Sequence, residues 1–196
     1  MVINDALNLV LPIRIGDDGE PLLWAHHTPI SAEVFRANYR IIAAANASIW
    51  SGGLKYASTS GARIANLALL DMGKTDAEDR GGENAAPALL AEIRRLTHVL
   101  APGANGFEML PVDVAIARNV IDQEDWSEAE GAITFFSLGF AMSKRAGRKS
   151  FCDLIALVIA GSTTSLAPLA YAASSLQSTP DAASTALPSS PSSLPG

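Results

Sequence analysis

The chain has 196 residues, a formal net charge of −6, 48% hydrophobic residues and a single cysteine. That length fits one ordinary domain with a tail and has enough residues for a core. The acidic balance argues against a general nucleic-acid surface, which needs clustered Lys and Arg against phosphates, and the lone Cys152 excludes an internal disulfide and fits a reducing compartment.

The N-terminal MVINDALNLV lacks the basic start and continuous apolar run of a secretory signal. Residues 8–15 (NLVLPIRI) and 22–28 (LLWAHHT) are β-rich and flank GDDGEP, which predicts a β-hairpin. Pro12 cannot donate to a ladder, so the first strand is expected at an edge or with a bulge. A helix is expected over 32–51, capped by Ser31 or Thr28, with Phe35, Tyr39, Ile42, Ala45 and Ile49 on one side and Gly52-Gly53 as its stop. A shorter helix is expected over 60–72. Residues 73–86 (GKTDAEDRGGENAA), polar and glycine-rich, read as a mobile loop.

Residues 87–144 are expected to organise the rest. Leu89, Ile93, Leu96 and Leu100 repeat at 4-3-4 spacing and predict one helix, from which Arg94, Arg95 and His98 project towards solvent or a partner. Pro102 and Gly103 end it, and a short extended piece follows. A long helix should open at Asp122 as N-cap and run to Lys144. It carries two apolar stripes, Trp126, Ala129, Ile133, Phe136 and Phe140, and, one position out of phase, Ala132, Phe135, Gly139 and Met142. Two such faces mean burial on both sides or a partner on one. The larger side chains of the first stripe assign it to the core. Gly139 offers a flat approach for another helix, which assigns Phe135, Gly139 and Met142 to a partner.

The expected fold class is therefore mainly α with a small N-terminal β-hairpin (α+β). Residues 1–148 form the helical domain, 149–161 hold a short apolar helix (FCDLIALVIA), and 162–196 form a disordered Ser/Thr/Pro/Ala-rich tail. The charge-free stretch 154–173 has membrane length, but Gly161-Ser-Thr-Thr-Ser and Pro168 interrupt it, so a linker is the better account than an anchor.

Motifs for chemistry are mostly missing. His26, His27 and His98 lack metal-site spacing and are expected to be structural; neither GxSxG nor a P-loop occurs. The carboxylates of Asp122, Glu124, Asp125, Glu128 and Glu130 read as helix-start charges. No catalytic, cofactor or metal residue is assigned.

Three segments, HTPISAEVFRANYRIIAA, AEIRRLTHVLAPGANGFEMLPVDVAIARNVID and the acidic turn leading into AITFFSLGFAM, resemble tail assembly chaperones of long-tailed (siphovirus-type) bacteriophages, over about residues 7 to 145. The resemblance implies a non-enzymatic protein of the host cytoplasm. Such proteins coat the tape measure protein before tail polymerisation and help bring in the major tail protein, and a ribosomal frameshift often makes a longer second form. Self-association, no cofactor, no nucleic acid and no membrane are the further expectations. The partner-binding residues expected are Phe135, Gly139 and Met142, with Arg94 and Arg95. A structural protein of the mature tail, adding its edge hairpin to a neighbour's sheet, is the alternative. A membrane-associated phage protein is a more distant one.

Overall fold

The computed structural model describes residues 7–17, 19–104 and 106–176. Its elements, in order, are β1 (Asn8–Ile15), β2 (Pro21–His27), α1 (Ala32–Ser51), α2 (Gly53–Tyr56) running into a π-helical turn (Ala57–Gly61), and α3 (Ala65–Arg80). Then come α4 (Ala86–Arg95), β3 (Thr97–Gly103), β4 (Gly106–Pro111), α5 (Val112–Ala117) and α6 (Gln123–Met142). The described chain closes with α7 (Arg148–Val158), β5 (Ser162–Thr164), α8 (Pro168–Tyr171) and a last π-helical turn (Ala172–Leu176).

The fold is α+β, with an antiparallel five-stranded sheet in the order β4-β3-β2-β1-β5 in place of a small hairpin. Successive side chains of a strand face opposite ways, and cross-strand partners share a face. Leu9, Leu11, Ala25, Val99 and Ala101 therefore turn to the inner face, where they join the helical core. Helix α6 runs through that core: Trp126, Ile133, Phe135, Phe136 and Leu138 are all buried. Its start follows from Asp122, whose carboxylate accepts from the amides of Glu124 and Asp125 while Asp125 returns a bond to the Asp122 amide. An ion pair from Arg14 to Asp125 fastens β1 to this helix start.

Four expectations are resolved. Of the two alternatives for Pro12, the bulge is found and the edge is not: β1 lies between β2 and β5. The register breaks on either side of Arg14, and β5 pairs only with Asn8, Leu9 and Val10, so the β1–β5 ladder stops short of Pro12. The expected loop 73–86 is mostly helix. Gly73 lies where α3 meets Asn84 and Ala86, leaving no space for a Cβ, and the polar run is supported by Lys74–Glu78 and Asp76–Arg80 pairs one turn apart. Helix α3 stops at Gly81 (φ 65°), whose amide donates to the Ala77 carbonyl.

The third is the expected helix over Leu89–Leu100, which divides. Helix α4 ends after Arg95, and Thr97 to Leu100 belong to β3. Residues 97–101 are buried on both faces apart from the half-buried His98, so their apolar run carries no strand alternation to read. The fourth concerns the end. Cys152, Ile155 and Ala156 of α7 are buried against the core, and residues 162–176, expected within the disordered tail, form β5, α8 and the last turn. The expected tail over 177–196 lies outside the described residues.

Candidate functional site

Histidine 27 holds the nearest thing to a catalytic geometry. Its Nε2 lies 2.8 Å from Ser137 Oγ on α6, and its Nδ1 lies 3.0 Å from Thr97 Oγ1 on β3. A serine–histidine contact is how hydrolases activate a nucleophile. Here all three residues are closed to solvent. Ser137 Oγ also faces the Ile133 carbonyl and Thr97 Oγ1 the Ile93 carbonyl, both at 2.8 Å. Three hydrogens thus serve four contacts in a chain that bolts β2 and β3 to α4 and α6. Burial pushes the His27 pKa down to about 3, so the imidazole is neutral. The arrangement reads as a core polar network. Among the described residues no three His, Cys, Asp or Glu side chains group as metal ligands.

The expected partner residues separate into three environments. Phe135 is 2% exposed and packs beside the Trp50 ring, with centroids 5.8 Å apart. Gly139 does receive a close helix, but that helix is α7 of the same chain, whose Ile155 fills the place of its Cβ. Only Met142, 41% exposed, remains open. The second stripe of α6 is therefore largely internal, and its assignment to a partner face is corrected: Trp50 of α1 and Ile155 of α7 cover it. Arg94 and Arg95 line a surface groove of about 440 Å³ with Ala91, His98, Pro111, Val112 and Asp113. Arg94 Nε donates to Asp113 at 2.8 Å and its guanidinium lies over Trp126. Arg95 makes two bonds to Glu92, which hold that carboxyl below its ordinary range. Both cations in this groove already have partners.

The surface that fits a partner lies on the other side of the sheet. Cross-strand register places Asn8, Val10, Trp24, His26, His98, Leu100, Phe107 and Met109 on the outer face, which carries no Asp, Glu, Lys or Arg. Residues 165–176 cross part of it, packing against β3, β4 and His26, where His26 and Leu100 are buried. The exposed remainder is an apolar shelf. Trp24 and Phe107 meet edge to face with centroids 5.6 Å apart, Met109 stands beside Leu100, and Leu22 is 47% exposed two residues before Trp24. Half-exposed Leu166 and Leu169 extend the shelf from the covering segment.

Sequence reasoning missed this face. The signal was present in the alternation Leu22, Trp24, His26 and again in Phe107, Met109, but it needed β3 and β4 to be recognised as strands. Among the described residues no helix is long and apolar enough to cross a membrane. The stretch 154–173 is divided between α7, β5 and α8. Comparison with protein-family models, with curated proteins and with solved structures gave no match.

Proposed function

We propose that this chain is a non-catalytic tail assembly chaperone of a long-tailed bacteriophage, which binds the tape measure protein and assists recruitment of the major tail protein in the host cytoplasm. Two things support the reading: the resemblance carried by residues 27–44, 91–122 and the approach to α6, and the uncharged outer face of the sheet. That face is the observation that carries it. A contiguous apolar patch of aromatic and aliphatic side chains, free of formal charge, is the kind of surface a soluble chain keeps for another chain's apolar segment. Aromatic anchors such as Trp24 and Phe107 supply most of the affinity at such surfaces.

Co-expression tests the reading. The tape measure protein of the same phage, made alone, is expected in the insoluble fraction; made with this chain, it is expected in a soluble complex. A tape measure protein that stays insoluble, or is soluble without binding this chain, contradicts it. One observation favours the structural alternative: β4 ends the sheet as an edge strand, where a neighbour's strand can add by backbone hydrogen bonds. Detection of stoichiometric amounts in purified virions would support that alternative over the chaperone.

A further inference from the structure

Residues 165–176 cross the outer face as a strap, and a titratable side chain holds it by hydrogen bond. His26 is fully buried, its Nε2 lies 3.0 Å from the Leu166 carbonyl, and its ring and that of Tyr171 have centroids 6.4 Å apart. A carbonyl only accepts, so Nε2 donates. The same carbonyl accepts from Asn8 Nδ2 at 3.0 Å. Little apolar burial adds to this grip: Leu166 and Leu169 are 39% and 50% exposed, and Ala172 alone among residues 165–174 is buried.

The surroundings of the His26 ring offer nothing to offset a positive charge. On the outer face β1 brings Asn8 and Val10, β3 brings His98 and Leu100, and β4 brings Met109 and Pro111. The strap brings Leu166 and Tyr171, and no residue from 165 to 176 is Asp, Glu, Lys or Arg. The other groups able to act on the ring are His98, which Arg95 influences in turn, and His27, next in the chain; each of them is a cation when charged. Among the described residues no carboxylate faces it. Burial holds the His26 pKa below its ordinary value; the carbonyls of Leu166 and of His26 itself act against that, and His98 acts with it. A protonated His26 is thus an uncompensated buried charge under a closed strap and a hydrated one when the strap is open.

We infer that the strap is a proton-operated latch, closed on a neutral His26 and lifted from an intact sheet when that ring takes up a proton. The sheet does not need the strap: β5 ends at Thr164 and pairs with Asn8, Leu9 and Val10, and the other ladders run among β1, β2, β3 and β4. The direction of the shift fixes the sign. Closure is complete above about pH 6.5, the ordinary histidine value regained on opening, and weakens as pH falls below it, by up to about tenfold per unit in the ratio of open to closed chains. The latch does not depend on which partner the shelf takes.

Hydrogen exchange on the full chain at pH 7.5 and 5.5, corrected for intrinsic exchange rates, tests it. Strap amides, among them that of Tyr171, which donates to the Ala167 carbonyl, are expected to lose protection about fivefold or more, while sheet amides remain much better protected than the strap at both pH values. His26→Gln keeps an N–H donor for Leu166 but cannot titrate, and is expected to cut the strap's change to less than about twofold. If His26→Gln does not fold, Tyr171→Ala loosens the strap with His26 in place, and the His26 pKa read from imidazole NMR signals is expected to rise towards 6.5 relative to the unaltered chain. Strap protection that holds or grows at pH 5.5, strap amides that exchange only together with the sheet, a pH response kept in His26→Gln, or a loosened strap with an unmoved His26 pKa each overturns the inference.

Discussion

Ala160 has a left-handed backbone (φ 55°) at the end of α7, where its amide reaches the Leu157 carbonyl and the Gly161 amide reaches the Ala156 carbonyl. This is a helix ending that glycine fills without steric cost, while a residue with a Cβ costs about 1 kcal/mol. Ala160→Gly is therefore expected to raise stability by about 0.5–1 kcal/mol, read from urea midpoints; an unchanged or lower midpoint would refute that account of the turn. The next position behaves oppositely, because a Cβ on Gly161 would stand 2.8 Å from the Val10 carbonyl oxygen, and Gly161→Ala is expected to destabilise. Phe135→Asp places a carboxylate where a 2% exposed ring packs on Trp50, and is expected to unfold the domain by circular dichroism. A folded Phe135→Asp chain would return that side chain to the surface. His27 links stability to pH. Its folded pKa, about 3, lies below the unfolded value near 6.5, so its contribution is complete above about pH 6.5 and is lost as pH falls towards 3. Burial lowers the pKa of His26 and His98 as well, so all three slopes have the same sign. Between pH 6.5 and 5, before most carboxylates titrate, unfolding free energy should fall by about 1 kcal/mol per unit for His27 alone, since the unfolded imidazole is only half protonated at the upper end. A flat profile there would mean that His27 is not buried as a neutral base.

Helix α6 separates two kinds of glycine. A Cβ on Gly131 would meet the backbone carbonyl group of Arg63, which cannot turn aside, whereas one on Gly139 would meet the Cδ1 end of the Ile155 side chain, which can. Gly131→Ala is expected to destabilise by more than Gly139→Ala, measured by thermal melts of both; the reverse order would mean that α7 is held more rigidly than the turn before α3. Legibility of elements followed the same division between local and distant causes. Helices α1 and α6 were readable because their starts are local: Ser31 accepts from the Val34 amide at 3.2 Å, and Asp122 and Asp125 exchange bonds within one turn. The β1–β2 hairpin was readable from its turn residues. Strand β3 was not, since Thr97, Val99, Leu100 and Ala101 are buried from both sides and show no alternation. The extension of α3 was missed because the run from Gly73 is polar and glycine-rich, although the helix needs glycine at 73 for its approach to Asn84 and Ala86. Strand β5 was hidden by composition: three small hydroxyl residues gain their order from pairing with Asn8, Leu9 and Val10, far away in sequence.

At the scale of the molecule, the sheet has a helical side that holds the core and an outer side partly covered by residues 165–176. The two-stripe pattern of α6 correctly implied cover on both faces, but α7 of the same chain supplies part of that cover, so a second apolar stripe did not identify a docking surface. The shelf of Leu22, Trp24, Phe107 and Met109 could be found only by assembling three strands in register. The most direct test of the chaperone account is capture of tape measure protein by full-length chains carrying single charges on opposite sides. Met109, 38% exposed, is on the shelf, while Met142 is at the end of α6. Both Met109→Asp and Met142→Asp are expected to melt within a few degrees of the unaltered chain, since neither charge is buried. The account predicts that Met109→Asp loses the tape measure protein in a co-expression pull-down while Met142→Asp retains it; full capture by a folded Met109→Asp chain, or its loss in Met142→Asp alone, would contradict it.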